Sequence, residues 1–257
     1  MSITAANGSV AKNPSTATYT YGQVVTLTAT PNAGYSFGNW SGDATGSANP
    51  VLITINANKS VTANFSQNTY TLNITAANGS VAKNLDKANY NYNEIVTLTA
   101  TANAGYSFGN WSGDATGTTN PVAITMNSNK SITANFSQNT YTLNITAANG
   151  SVAKNLDKAN YNSGEIVTLT ATANAGYSFG NWSGDATGTT NPVVITMNAN
   201  KSVTANFSQN TYTVSITAAN GSVAKNPSTA TYTYGQVVTL TATPLSLIHI
   251  SEPTRPY

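Results

Sequence analysis

Three similar stretches each place one carboxylate among hydroxyls and glycines. In the middle one, Trp111-Ser112-Gly113-Asp114-Ala115-Thr116-Gly117, the carboxylate is Asp114; Asp43 and Asp185 hold the same place in the other two. A second acidic set, Asp86 with Glu94 and Asp157 with Glu165, lies in polar segments upstream. General acid–base catalysis needs a titratable pair with separately tuned environments. The Asp86/Glu94 pair has no equivalent around residues 15–23, so the chain is not built around it. Serine is plentiful, but no base accompanies it to make a nucleophile. Calcium takes six to eight oxygens, usually several from carboxylates. A single Asp114 with Ser112 and Thr116 suits turn chemistry instead, in which Asp bonds nearby backbone amides. The expectation is a chain with no catalytic residue, no metal site and no cofactor.

The aromatic residues offer a different chemistry. Trp111, Tyr106 and Phe108, with Trp40 and Trp182 in the other copies, could stack on sugar rings. A unit of about 70 residues can hardly leave its one Trp outside and still fold, so these rings are expected in the core. Tyr90 and Tyr92 are expected to be the exposed aromatics; Tyr92 is replaced by Ser163 one copy later. The row Thr97, Thr99 and Thr101 has the look of an ice-binding array, but Thr on the wet face of a strand is ordinary β-propensity.

Composition narrows the partners. Charged residues are 7% of the chain and the net charge is +2, so there is no basic footprint for nucleic acid. Cysteine is absent, which excludes disulfides and thiolate metal sites. No segment is apolar and long enough to be a membrane-spanning helix.

All these residues sit on a strict repeat. Trp40, Trp111 and Trp182 follow one another at 71 residues, and Ile3, Ile74, Ile145 and Ile216 keep the same interval. A period without drift means tandem copies of one folding unit. In the second copy, Tyr70–Ala77 alternates apolar and polar residues and reads as a half-buried strand. Asn78-Gly79 suggests a type I′ turn, with Ser80–Lys83 returning as a hairpin arm. Leu85–Glu94 reads as a crossover loop with room for one helical turn. Ile95–Thr101 is the third strand, with Val96, Leu98 and Ala100 on one face. Tyr106–Trp111 is expected to form an aromatic lid. Val122–Met126 and Ser131–Phe136 complete about five strands, the last with Ile132, Ala134 and Phe136 inward.

The two ends break the pattern. Ser2–Pro31 is identical to Ser215–Pro244, while Met1 stands where Val214 precedes the later copy. A valine codon read as an alternative start would give this difference, and the repeat array is expected to continue upstream. After Pro244 the repeat gives way to Leu245–Tyr257, which holds the only His (His249) and the only Arg (Arg255). That tail resembles a translated transposase-type sequencing adapter and is expected to be artefactual.

The pattern Val-Thr-Leu-Thr-Ala, then Gly-Tyr-Ser-Phe-x-x-Trp-Ser-Gly, then Ile-Thr-Met-Asn-x-Asn-Lys-Ser-Ile-Thr-Ala-Asn-Phe resembles the divergent internalin-type B-repeat family of bacterial surface and secreted proteins. Asn39, Asn110 and Asn181 depart from it where many relatives have Gly before the Trp. The resemblance implies a mainly β chain of tandem, small β-grasp-like domains of about five strands, arranged as an elongated array. Expected boundaries are 1–66, 67–137, 138–208 and a partial repeat at 209–244, with 245–257 as tail. The resemblance further implies an extracellular or cell-surface stalk or spacer of an adhesin-like protein. The alternative is a carbohydrate- or matrix-binding accessory module of a secreted multidomain protein. Partners would be host or matrix glycans or proteins held by flanking domains, with no nucleic acid and no membrane span, the array itself being a monomeric rod.

Overall fold

A computed structural model describes residues 1–246. It divides into two compact units, one of residues 1–138 and one beginning at Asn139. Every regular element among the described residues is a strand.

The second repeat defines the architecture. Its strands are β1 (Thr69–Tyr70), β2 (Leu72–Ala76), β3 (Gly79–Lys83), β4 (Tyr90–Asn91), β5 (Glu94–Ala102), β6 (Tyr106–Gly113), β7 (Val122–Met126) and β8 (Lys130–Gln138). One sheet has the order β2-β8-β6 and the other β3-β5-β7, while β1 pairs with β4 alone. β2 runs parallel to β8, Ile74 opposite Ile132, so the first and last long strands of the repeat are neighbours.

This topology corrects the hairpin reading of Asn78-Gly79. β2 and β3 do not pair; β2 joins β8 and β3 joins β5, with Leu98 opposite Lys83. The turn therefore carries the chain from one sheet to the other. Asn78 takes the left-handed conformation, φ 64°, as the sequence suggested. Gly79 has a different task. A β-carbon there would fall 2.4 Å from Cζ of Phe136, so the glycine admits the ring. The Leu85–Glu94 segment contains no helix, only bends, the short β4 and a turn at Tyr92-Asn93 that leads into β5. The aromatic stretch is not a lid but a full strand, β6, in register with β8.

Two facing three-stranded sheets enclose a small core. Val96, Leu98 and Ala100 from β5 meet Trp111 from β6, Ile124 and Met126 from β7, and Ile132 and Ala134 from β8. The alternate residues Ile95, Thr99 and Thr101 face outward, as the period-two pattern requires. The third repeat reproduces this core around Trp182, and the first around Trp40.

The fourth repeat has only the first half of the unit. Thr211–Tyr212 pairs with Tyr232–Thr233, and Gly221–Asn226 with Thr239–Pro244. Residues 213–218 form no strand. Leu240 is 51% exposed, whereas Leu27, Leu98 and Leu169 at the same position are fully buried. Most of the tail, with His249 and Arg255, lies outside the described residues.

Candidate functional site: the aromatic strand and the joint between repeats

The bulge in β6 explains how the aromatic stretch works. Phe108 and Trp111 are three residues apart, a spacing that puts side chains on opposite faces of a regular strand. Between Phe108 and Asn110 the register against β8 shifts by one residue. The extra residue turns both rings to the same side. Their centroids lie 5.1 Å apart, and Phe108 meets Phe136 edge-on at 5.8 Å. The three Trp side chains are each 1% exposed, so none offers a face to a sugar ring.

Each Trp also fastens the loop that follows it. Trp111 donates from Nε1 to the carbonyl of Thr119 (2.9 Å) and from its amide to the carbonyl of Gly117 (2.8 Å). Asn120 then bonds the backbone of Ala100 twice, accepting at 2.9 Å and donating at 2.8 Å. The Asn110 side chain donates to the Trp111 carbonyl at 2.9 Å. It acts within the strand.

The carboxylates are bonded within the fold. Asp114 accepts from the Ser131 amide at 2.7 Å, and its own amide donates to the Ser131 carbonyl at 2.9 Å. Asp43 and Asp185 repeat this with Ser60 and Ser202. Ser112 accepts from Asn135. Asp86 pairs with Lys83 at 2.6 Å, and Glu94 with Lys87. Asp157 and Glu165 do the same with Lys154 and Lys158. The Lys87 ammonium and, after it, the Asn91 amide hold the Glu94 carboxyl below the usual carboxylate range. Its hydrogen bond to Asp86 raises Lys83 above the ordinary lysine range. Asp86 and Glu94 thus engage different lysines on the surface. Among the described residues no three His, Cys, Asp or Glu side chains form a group that could hold a metal ion.

Two tyrosines stand elsewhere than expected. Tyr90 is fully buried and donates its hydroxyl to the Leu85 carbonyl at 2.8 Å. Its ring closes the core behind β1, where Tyr70 lies opposite it. Tyr92 is half-buried because it packs on the preceding repeat: a β-carbon on Gly34 would fall 2.2 Å from its Cδ1.

That contact belongs to a joint the sequence reading missed. Asn68, in the link between repeats one and two, donates its amide to the Gly34 carbonyl at 2.8 Å and accepts from the Tyr92 amide at 3.0 Å. Its side-chain oxygen accepts from the Ser36 hydroxyl at 2.6 Å. One asparagine is thereby tied to both repeats. In the second unit Asn210 is bound by the same groups, with Gly176 at 2.8 Å, Tyr234 at 3.3 Å and Ser178 at 2.6 Å. The recurrent Gln-Asn-Thr-Tyr of the links was the one signal available. It does not by itself show which loop it touches.

Among the described residues no helix is long and apolar enough to cross a membrane. No curated protein matches the chain. The model of the divergent InlB B-repeat domain matches it four times in tandem, at residues 1–69, 70–140, 141–211 and 212–247. With the match running over nearly the whole sequence, the chain belongs to the divergent InlB B-repeat family.

Proposed function

We propose that the chain is a non-catalytic stalk or spacer segment of an exported bacterial surface protein of adhesin type. The repeats would hold a flanking ligand-binding domain away from the cell, in the extracellular space. Membership of a family of surface repeat modules supports this reading. The observation that carries it is the joint at Asn68, bonded to Gly34 on one side and Tyr92 on the other. A spacer needs each added unit to be fixed to the one before, and a link bonded on both sides gives that. The burial of the Trp side chains and the bonding of the carboxylates to backbone amides and lysines support the same reading.

The test is a series of chains with one 71-residue repeat added or removed, measured by small-angle scattering at low concentration. A unit of this size has a radius of gyration near ~11 Å, so each repeat should lengthen the particle by roughly 30 Å. A longest dimension that does not grow with repeat number would overturn the spacer reading. Binding of glycans or matrix proteins by the isolated repeats would favour an accessory binding module.

A further inference from the structure

In the second repeat the chain enters the core through β2 and leaves it through β8, and these two strands are parallel neighbours. Leu72 lies opposite Lys130 at one end of the pair, and Ala76 opposite Ala134 at the other. Past Ala134, β8 runs on to Gln138 against β6 alone, with Tyr106 opposite Gln138. At roughly 3.3 Å per residue, the entry at Leu72 and the exit at Gln138 are separated by about 26 Å along the strands and only about 4.8 Å across them. Tension along the chain therefore acts nearly parallel to the strands. It pulls β2 and β8 in opposite directions, so all the bonds between them are strained together. A pair pulled apart from one end would open one bond at a time.

The pair is fastened where the tension arrives. Thr71 donates its amide to Asn129 Oδ1 at 3.0 Å and accepts from the Lys130 amide at 2.9 Å. The preceding β1 shares only two residue pairs with β4, so it yields first and passes the tension to Thr71. Within the pair, Ile74 lies opposite Ile132 and packs on the core. Ile132 and Ala134 are buried, so sliding β8 past β2 would drag both out of the core. The third repeat has the same arrangement, with Leu143 opposite Lys201 and Thr146 opposite Thr204. There Thr142 is bonded to Asn200 and Lys201. The β3-β5-β7 sheet is formed by chain that lies between entry and exit, and tension reaches it only after the parallel pair has parted.

We propose that these repeats are force-bearing modules, in which the pair of β2 with β8, and of Leu143–Thr146 with Lys201–Thr204, resists tension as a shear clamp. The use of such a clamp in a stalk rests on the spacer reading above, whereas the clamp itself is a property of one repeat. Scattering measures the length of the array and a pulling experiment its strength, so either reading can fail without the other. Forced unfolding is governed by the unfolding rate, not by equilibrium stability. The resistance should therefore depend on the direction of pulling and on the contacts of this one pair.

Absence of cysteine allows pulling handles to be attached at chosen residues of the full chain. Thr71→Cys with Ser137→Cys places one handle at each end of the parallel pair. Thr71→Cys with Ser128→Cys places both at the same end. All three side chains are exposed, so both chains should fold. Pulled at one rate in a single-molecule force experiment, the first chain should unfold its second repeat at a force several-fold above that of the second chain. Equal forces, or a higher force in the same-end arrangement, overturn the proposal. Two core truncations in the first chain separate a clamp from general stability. Ile124 is buried in the other sheet, and Ile124→Ala should lower the thermal midpoint more than Ile74→Ala, because Ile74 is only half-buried and its truncation leaves the smaller cavity. The unfolding force should follow the opposite order, with Ile74→Ala lowering it more. Forces that fall in the order of the thermal midpoints would mean that the repeat resists as a whole, and would overturn the clamp.

Discussion

Tyr92 of the second repeat packs against Gly34 of the first, with no room for a β-carbon between them. Gly34 also has φ 80°, where other residues are strained. Both facts bind residue 34 to glycine, and both serve the link at Asn68. Gly34→Ala should therefore loosen the joint while leaving both cores intact. The expected effect is about 1–2 kcal/mol, read as faster hydrogen exchange at the Asn68 and Tyr92 amides. Tyr92→Ser removes the ring contact but keeps the backbone bonds, so it should have the smaller effect. Equal exchange at these amides in all three chains would mean that the joint does not depend on this contact.

The Trp111 side chain performs two tasks, filling the core and tying the loop to Thr119. Trp111→Ala should cost on the order of 3–5 kcal/mol, enough to unfold the second repeat while the Trp182 core persists. Trp fluorescence should resist soluble quenchers in the native chain at all three Trp positions. Free access of the quencher to any of them would contradict the burial on which the reading of the site rests.

Residue pattern made much of this fold legible. The period of 71 residues located the units, and period-two alternation identified the buried faces of β2, β5 and β8 correctly. What failed was pairing. Asn78-Gly79 has the residues of a hairpin turn, but local sequence does not show that Ile74 lies opposite Ile132 in a parallel pair. The bulge at Gly109 was equally hidden, since one extra residue changes which face Trp111 takes. Tyr90 and Tyr92 were misplaced for a related reason. Their flanking residues are polar, and only the distant partners, Leu85 and Tyr70 for one and Gly34 for the other, cover them.

Acid should act unequally on the repeats. Glu94 and Glu165 have folded pKa values held below their unfolded ones by Lys87 and Lys158. Such groups stabilise the fold above the unfolded carboxylate pKa, and that contribution is lost as pH falls through the folded value. The first and fourth repeats carry Gln23 and Gln236 at the same position, accepting the Thr20 and Thr233 amides at 3.0 and 2.9 Å. A neutral side chain makes the same turn without a proton to gain. Hydrogen exchange should therefore show a drop in protection around Asn91 and Asn162 as pH falls through the depressed carboxyl range, and none around Thr20. Glu94→Gln should abolish the drop at Asn91. An unchanged pH profile in that variant would mean that the carboxylate is not its source.

In dilute solution the fourth repeat should be the first part to yield to protease. Residues 213–218 lack the parallel partner that their counterparts have. The strand Thr239–Pro244 is exposed along its whole length, and only Tyr232 is buried among the described residues of this half. Local opening there breaks few buried contacts, and proteolysis follows the population of the opened state. A protease that cuts after aromatic residues and leucine should act first at Tyr234 and Leu240. Digestion should then trim the chain towards Gln209, where the last strand of the third repeat ends. The link at Asn68 should resist, because its amide and carbonyl are both bonded. Cleavage between the first and second repeats before any loss from the fourth would show that the bonded link is weaker than the half-formed unit, and would remove the basis for a spacer of fixed joints.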